Sequence, residues 1–261
     1  LRGIGVMRGW PRRSGPAPRA GIHAAERARR GRVLLFRGCV AAHVEFDLQR
    51  AAVDVLTRLG WEVDVAGDAR CCGALHRHAG QLDDAEAVAR ATCASLAAAI
   101  VDCDAVLVTA AGCHADLVRT LGPAGSKVRE LTEFILDDAA LDALALRPAD
   151  ARVLVHVPCT QATAVRRGDA AAALLGRIPG LVVQSLPDRG CCGAAGSHML
   201  LFPERAAALR APLLVAVAAA APDLLCSGNV GCRLHLGDGL ADVAHAPRLL
   251  HPIEVLAEHL A

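Results

Sequence analysis

Eight of the eleven cysteines in this 261-residue chain recur in a fixed order. Cys39 is followed 32 positions later by the adjacent pair Cys71 and Cys72, and Cys113 lies 41 positions beyond Cys72. The order returns as Cys159, then Cys191 and Cys192 after 32 positions, then Cys232 after a further 40. Register kept within one position across an offset of 120 residues points to an internal duplication. A thiolate is a soft ligand, and four thiolates gathered on loops suit zinc or an iron–sulfur cluster. Neighbouring side chains on an extended strand face opposite ways, so a vicinal pair serving one centre needs an irregular turn. Gly73 and Gly193, which directly follow the pairs, can provide that backbone freedom. The pair also suits a centre with several metal atoms, whereas tetrahedral zinc more often takes a C-x2-C spacing.

The remaining candidates carry less. Cys93 and Cys103 have no counterpart in the other half and read as small buried hydrophobes. Cys226 aligns with Leu107 inside a strand, which leaves both a core role and an auxiliary ligand open. His76, His78, His114, His156, His198 and His235 flank the cysteine loops and read first as ordinary loop or core histidines; His114 and His156 are the best candidates to tune a centre. A P-loop, a G-x-G-x-x-G opening a helix, a G-x-S-x-G and an H-E-x-x-H are all absent from the sequence. No catalytic residue is assigned, and turnover of a substrate by this chain alone has little support.

The elements that must position these cysteines alternate between strand and helix. "RVLLF", "WEVDVAG" and "DAVLVTAAGC" read as strands, with a helix marked by Leu48, Ala52, Val55 and Leu59 and stopped at Gly60. A second helix over 82–100 shows Ala85, Val88, Thr92, Leu96 and Ile100 on one side. "RVLVHVPC", an Ala-rich helix near 168–176, "LVVQSL", a helix around 203–220 and "DLLCSGNVGC" repeat the plan. The expected fold is α/β: two tandem duplicated units with largely parallel sheets and the cysteine sites at the strand ends. The expected divisions are an Arg/Pro-rich linker or tail over 1–31, a first cysteine-rich unit over 32–148 and a second over 149–261.

Residues 1–32 hold nine Arg against one Glu, so the formal charge of +1 conceals a mildly acidic body. The basic stretch has a single aromatic, Trp10, and no apolar core, which favours a linker over a nucleic-acid arm or a targeting peptide. No run of 18 apolar residues occurs, so no transmembrane span is expected. Without an export signal the expected compartment is the reducing cytoplasm, where these cysteines suit metal or redox chemistry better than disulfides.

The wording of the motifs goes further. "RRGRVLLFRGCV", "CCGALHRHAG", "HVPCTQ", "CCGAAGSHMLLFPERAAALR", "SGNVGCRLHL" and "HPIEVLAEHL" resemble the cysteine-rich CCG domain shared by heterodisulfide reductase B-type subunits, lactate-utilisation iron–sulfur proteins and glycolate oxidase iron–sulfur subunits, and are most similar to the last. The resemblance runs from about residue 29 to the end. It implies an electron carrier: an FAD-containing 2-hydroxy-acid dehydrogenase subunit oxidises the substrate, and this chain passes electrons toward a quinone or another acceptor. It also implies an iron–sulfur cluster, of 4Fe–4S type, on the same eight cysteines, with zinc in one half left open. Peripheral association with the inner face of a membrane would then run through partners. Two features depart from the family. The first cysteine of its C-x2-C ending is replaced by Ala110 in one half and Asn229 in the other, and no ferredoxin-like C-x2-C-x2-C-x3-C-P run precedes the domain. Truncation is the favoured account of the second.

A lactate-utilisation or heterodisulfide-reductase-like role remains an alternative within the family. Two readings of another class stay open: a thiol–disulfide reductase working through Cys71–Cys72 or Cys191–Cys192, and a structural zinc scaffold.

Overall fold

The computed structural model describes residues 15–67, 70–187 and 190–261. The opening part of the Arg/Pro-rich segment, 1–14, lies outside the described residues. The first half runs β1 (Gly21–His23), β2 (Gly31–Phe36), α1 (Ala41–Val44), α2 (Phe46–Arg58), β3 (Trp61–Val65), α3 (Ala74–His78), α4 (Leu82–Asp102), β4 (Ala105–Val108), α5 (Ala111–Thr120), β5 (Val128–Glu130) and α6 (Leu131–Leu136). The second runs β6 (Arg152–His156), α7 (Ala170–Leu175), β7 (Val182–Ser185), α8 (His198–Leu201), α9 (Pro203–Ala220), β8 (Leu224–Ser227), α10 (Val230–Leu240), β9 (Arg248–Leu250) and α11 (Pro252–Glu258).

The duplication is visible in the topology. One sheet has the order β1-β3-β2-β4-β5 and the other β7-β6-β8-β9, so the second repeats the first without its edge strand. All pairings are parallel except that of β1 with β3. Parallel strands joined through helices bury both faces, and the sequence supplies the short apolar runs this requires. β1 is a difference from the sequence reading, which placed residues 21–23 in a linker: "GIH" carries no apolar run because its strand needs only one neighbour and stays partly exposed.

Side chains alternate across each sheet. Val33 and Leu35 of β2 enter one core and Leu34 and Phe36 another; Val153 and Val155 of β6 part from Leu154 in the same way. The first members of these sets meet in a single core built from both halves, with Leu48, Val55 and Leu56 of α2 against Ile253, Val255 and Leu256 of α11. α11 packs on α2 and α6 on α7, so the last helix of each half covers the helix that follows the central strand, β2 or β6, in the other. Each covering helix is capped by a fully buried residue. The Glu130 carboxylate accepts from the Thr132 and Glu133 amides, while His251 Nδ1 accepts from the Ile253 amide. Both then reach across the interface, Glu130 accepting from Gln161 Nε2 at 3.1 Å and His251 Nε2 donating to the Thr109 carbonyl at 3.1 Å. Burial pushes the Glu130 carboxyl up to about 7 and holds His251 well below its ordinary value, consistent with the neutral ring that this donor and acceptor pattern demands.

Candidate metal centre

Among the parallel strands of each sheet the chain runs from an inner strand, β2 or β6, to a neighbour on one side, then crosses to the other. The strand order therefore reverses between β2 and β4, and between β6 and β8, where a crevice opens at the carboxyl ends of the strands. Cys39 and Cys113 stand at the first of these points and Cys159 and Cys232 at the second. Cys113 and Cys232 fall in the first turns of α5 and α10.

The vicinal pairs arrive on matching turns. Gly73 and Gly193 both have φ of 87°, and their amides donate to Cys71 Sγ at 3.4 Å and Cys191 Sγ at 3.3 Å. A Cβ on Gly193 would stand 2.5 Å from the Ala206 carbonyl oxygen, and one on Gly73 3.0 Å from that of Ala85. Gly193→Ala is therefore expected to cost about 2 kcal/mol or more, since a left-handed residue alone costs about 1–2. Gly80→Ala, also at positive φ (78°) but with open space around it, should cost less. Urea unfolding of the two variants checks the difference.

The sequence treats the two cysteine sets as separate sites, but the structure brings them together. All eight line one cavity of about 330 Å³ between the halves, with Leu75, Met199, Leu200, Val230 and His78 among its other walls. The halves close there because the amide of Ala111 donates to the Gly228 carbonyl at 3.3 Å and that of Gly112 to Asn229 Oδ1 at 3.2 Å. A larger open groove of about 530 Å³, beside α2 and α11, contains no cysteine.

Cys72, Cys192 and Cys232 are buried, Cys159 is exposed, and Cys39, Cys71, Cys113 and Cys191 are half-buried. Cys192 and Cys232 Sγ lie 3.0 Å apart. Hydrogen bonds from Cys39 and then Cys72, followed by the Gly73 amide, hold the Cys71 thiol far below its ordinary value against the effect of burial. Contact with Cys71 and burial push Cys39 up, and contact with Cys113 does the same for Cys72. Contact with Cys192 and burial raise Cys191. The opposed shifts reflect close contact between the thiols, as does the 3.0 Å separation of the Cys192 and Cys232 sulfurs.

Other candidates take ordinary places. Cys93 Sγ donates to the Thr120 carbonyl, Cys103 is buried at the end of α4 in the core that holds Leu34 and Phe36, and Cys226 lies fully buried in the shared core with its thiol pushed up by burial. His156 pairs with Ser227 Oγ, His76 with Gln81, His198 with the Gly193 carbonyl and His235 with the Ala206 carbonyl. Burial lowers His156 to about 4 and also lowers His114. Sequence reasoning missed Arg233, fully buried between Glu45 and Glu254, although a charged residue within the apolar "VGCRLHL" was a visible signal.

Among the described residues no three Cys, His, Asp or Glu side chains converge as the ligands of one metal ion would. The donor chemistry instead fits a group with several metal atoms: two sets of four soft donors, each set carrying an amide N–H directed at one sulfur.

A duplicated α/β scaffold whose two switch points each present a thiol quartet defines a class of cysteine-rich redox or metal proteins. Residues 33–118 and 153–237 both match the cysteine-rich domain, CCG. The chain belongs to this family.

It is similar to the glycolate oxidase iron-sulfur subunit of Escherichia coli (strain K12), 31% identical over 229 residues, covering 82% of this chain and 56% of that one. It is also similar to one of the subunits of the fumarate reductase (CoM/CoB) of Methanothermobacter marburgensis (29% identical; 80% and 42% covered) and to lactate utilization protein A of Geobacillus kaustophilus (24% identical; 86% and 98% covered). The chain spans about half the length of the first two relatives. Among the described residues no helix is long and apolar enough to cross a membrane.

Proposed function

We propose that this chain is an iron–sulfur electron-transfer subunit of an oxidoreductase complex of the glycolate oxidase kind. In this reading it relays electrons from an FAD-containing 2-hydroxy-acid dehydrogenase subunit toward a quinone or another acceptor. The observation that carries the proposal is the convergence of both thiol quartets on one cavity between the halves; the names of the relatives support it. Cys39, Cys71, Cys72 and Cys113 would hold one centre, and Cys159, Cys191, Cys192 and Cys232 the other. An iron–sulfur centre, when bound, takes up and gives back single electrons. The protein's part is to present thiolates from rigid strand ends, to place the Gly73 and Gly193 amides on Cys71 and Cys191, and to shield the buried sulfurs from water with Leu75, Met199 and Leu200.

The lactate-utilisation reading, which the similarity to lactate utilization protein A keeps beside it, uses every one of these residues. Electron paramagnetic resonance of anaerobically purified protein tests the carrier role. Dithionite should produce a signal and ferricyanide should abolish it; a protein silent under both conditions would contradict the proposal.

A further inference from the structure

Asn229 stands at the N-cap of α10, a position where Asn ordinarily accepts a hydrogen bond from the first turn of its own helix. It makes no such bond. Its Oδ1 accepts instead from the Gly112 amide in the first turn of α5, in the other half, at 3.2 Å. A Cβ on Gly112 would lie 3.0 Å from that oxygen, so the close approach depends on glycine. Because a backbone N–H can only donate, the Gly112 contact fixes which end of the amide is oxygen. The nitrogen is thereby aimed at Cys232 Sγ, 3.4 Å away.

The duplication supplies an internal control. Ala110 occupies the matching N-cap of α5 with a similar extended backbone, φ −120° and ψ 115° against φ −142° and ψ 124° for Asn229. Alanine has no side-chain donor to offer Cys113. The amides of Gly73 and Gly193, by contrast, serve Cys71 and Cys191 alike. The Asn229 side chain thus adds to one thiol set an N–H···S bond that the residue at the matching cap cannot give to the other.

We propose that Asn229 is a positioning residue that raises the reduction potential of the centre held through Cys232 by donating its amide N–H to that sulfur. The inference rests on the iron–sulfur reading above. Reduction adds one electron and increases the negative charge on the ligand sulfurs, so a donor aimed at one of them stabilises the reduced form more than the oxidised form. The two centres are therefore inequivalent, although their cysteines match in spacing.

The test is a potentiometric titration of the anaerobically purified chain, with dithionite as reductant and ferricyanide as oxidant, followed by electron paramagnetic resonance. Asn229→Ala removes both contacts. Asn229→Asp retains an acceptor for the Gly112 amide, which keeps α5 anchored, and replaces the donor with oxygen. In both variants one of two reduction events should move downward by about tenfold in its equilibrium, 59 mV for one electron, while the other stays in place. Unchanged potentials with iron and sulfide retained would overturn the role of Asn229 and leave the iron–sulfur reading intact. An equal shift of both events would also overturn it, as a general disturbance. Wild-type protein without iron and sulfide would overturn both. If Asn229→Ala loses its iron, Asn229→Leu, which is uncharged, similar in shape and without a donor, decides in its place.

Discussion

Replacing Arg233 with methionine is expected to lower the unfolding free energy by about 3–5 kcal/mol, the cost of removing one member of a buried ionic group and leaving the rest uncompensated. Arg233 is 1% exposed, and its guanidinium donates to Glu45 at 2.8 Å and Glu254 at 2.6 Å. Glu45 belongs to the first half, and Glu254 also accepts the His251 amide in the cap of α11. The triad therefore ties both halves beside Cys232. Burial, opposed by Arg233, pushes the Glu45 carboxyl up from 4.5 to about 7. A carboxyl raised in the folded state binds its proton more tightly there than when unfolded, so its contribution to stability is lost as pH rises from about 4.5 to 7. The variant's deficit should accordingly be larger at pH 8 than at pH 5.5. Urea unfolding at both values checks the magnitude and the sign. Adding Glu45→Leu to the variant should recover part of the loss, because the stranded charge is then removed.

The second large effect concerns the thiol sets. Cys72→Ala with Cys113→Ala removes two donors of the first set, and Cys192→Ala with Cys232→Ala two of the second. Each double variant should retain about half the wild-type iron, because two remaining thiols cannot complete a four-thiolate centre. Loss of all iron from either would mean that the shared cavity holds one joint group; unchanged iron would show that these cysteines are not ligands. Iron and protein assays on the folded variants, with circular dichroism as the check on folding, distinguish the three results.

Much of the scaffold could be read in the chain because its signals are local. Leu48, Ala52, Val55 and Leu59 recur at helical spacing, and all four are buried along α2 and its end. Gly73 and Gly193 follow the cysteine pairs, and both take the left-handed conformation that the turns require. The missing parts depend on contacts between residues far apart in sequence. Spacing within each half cannot show that Gly112 and Asn229 meet, 117 residues apart, or that the two thiol sets therefore face one cavity. Nor can it show that α11 covers α2, since apolar positions on a helix do not name the surface they bury against. Asn229 registered in the sequence only as a cysteine lost from the family pattern; its two hydrogen bonds, one to each half, appear only once the halves are packed.

Whether two sets of four thiols hold iron–sulfur centres is tested most directly by assaying iron, zinc and acid-labile sulfide in anaerobically purified protein. Iron and sulfide are expected in near-equal amounts, several of each per chain, with little zinc; zinc without sulfide, or protein free of metal, would contradict the iron–sulfur assignment.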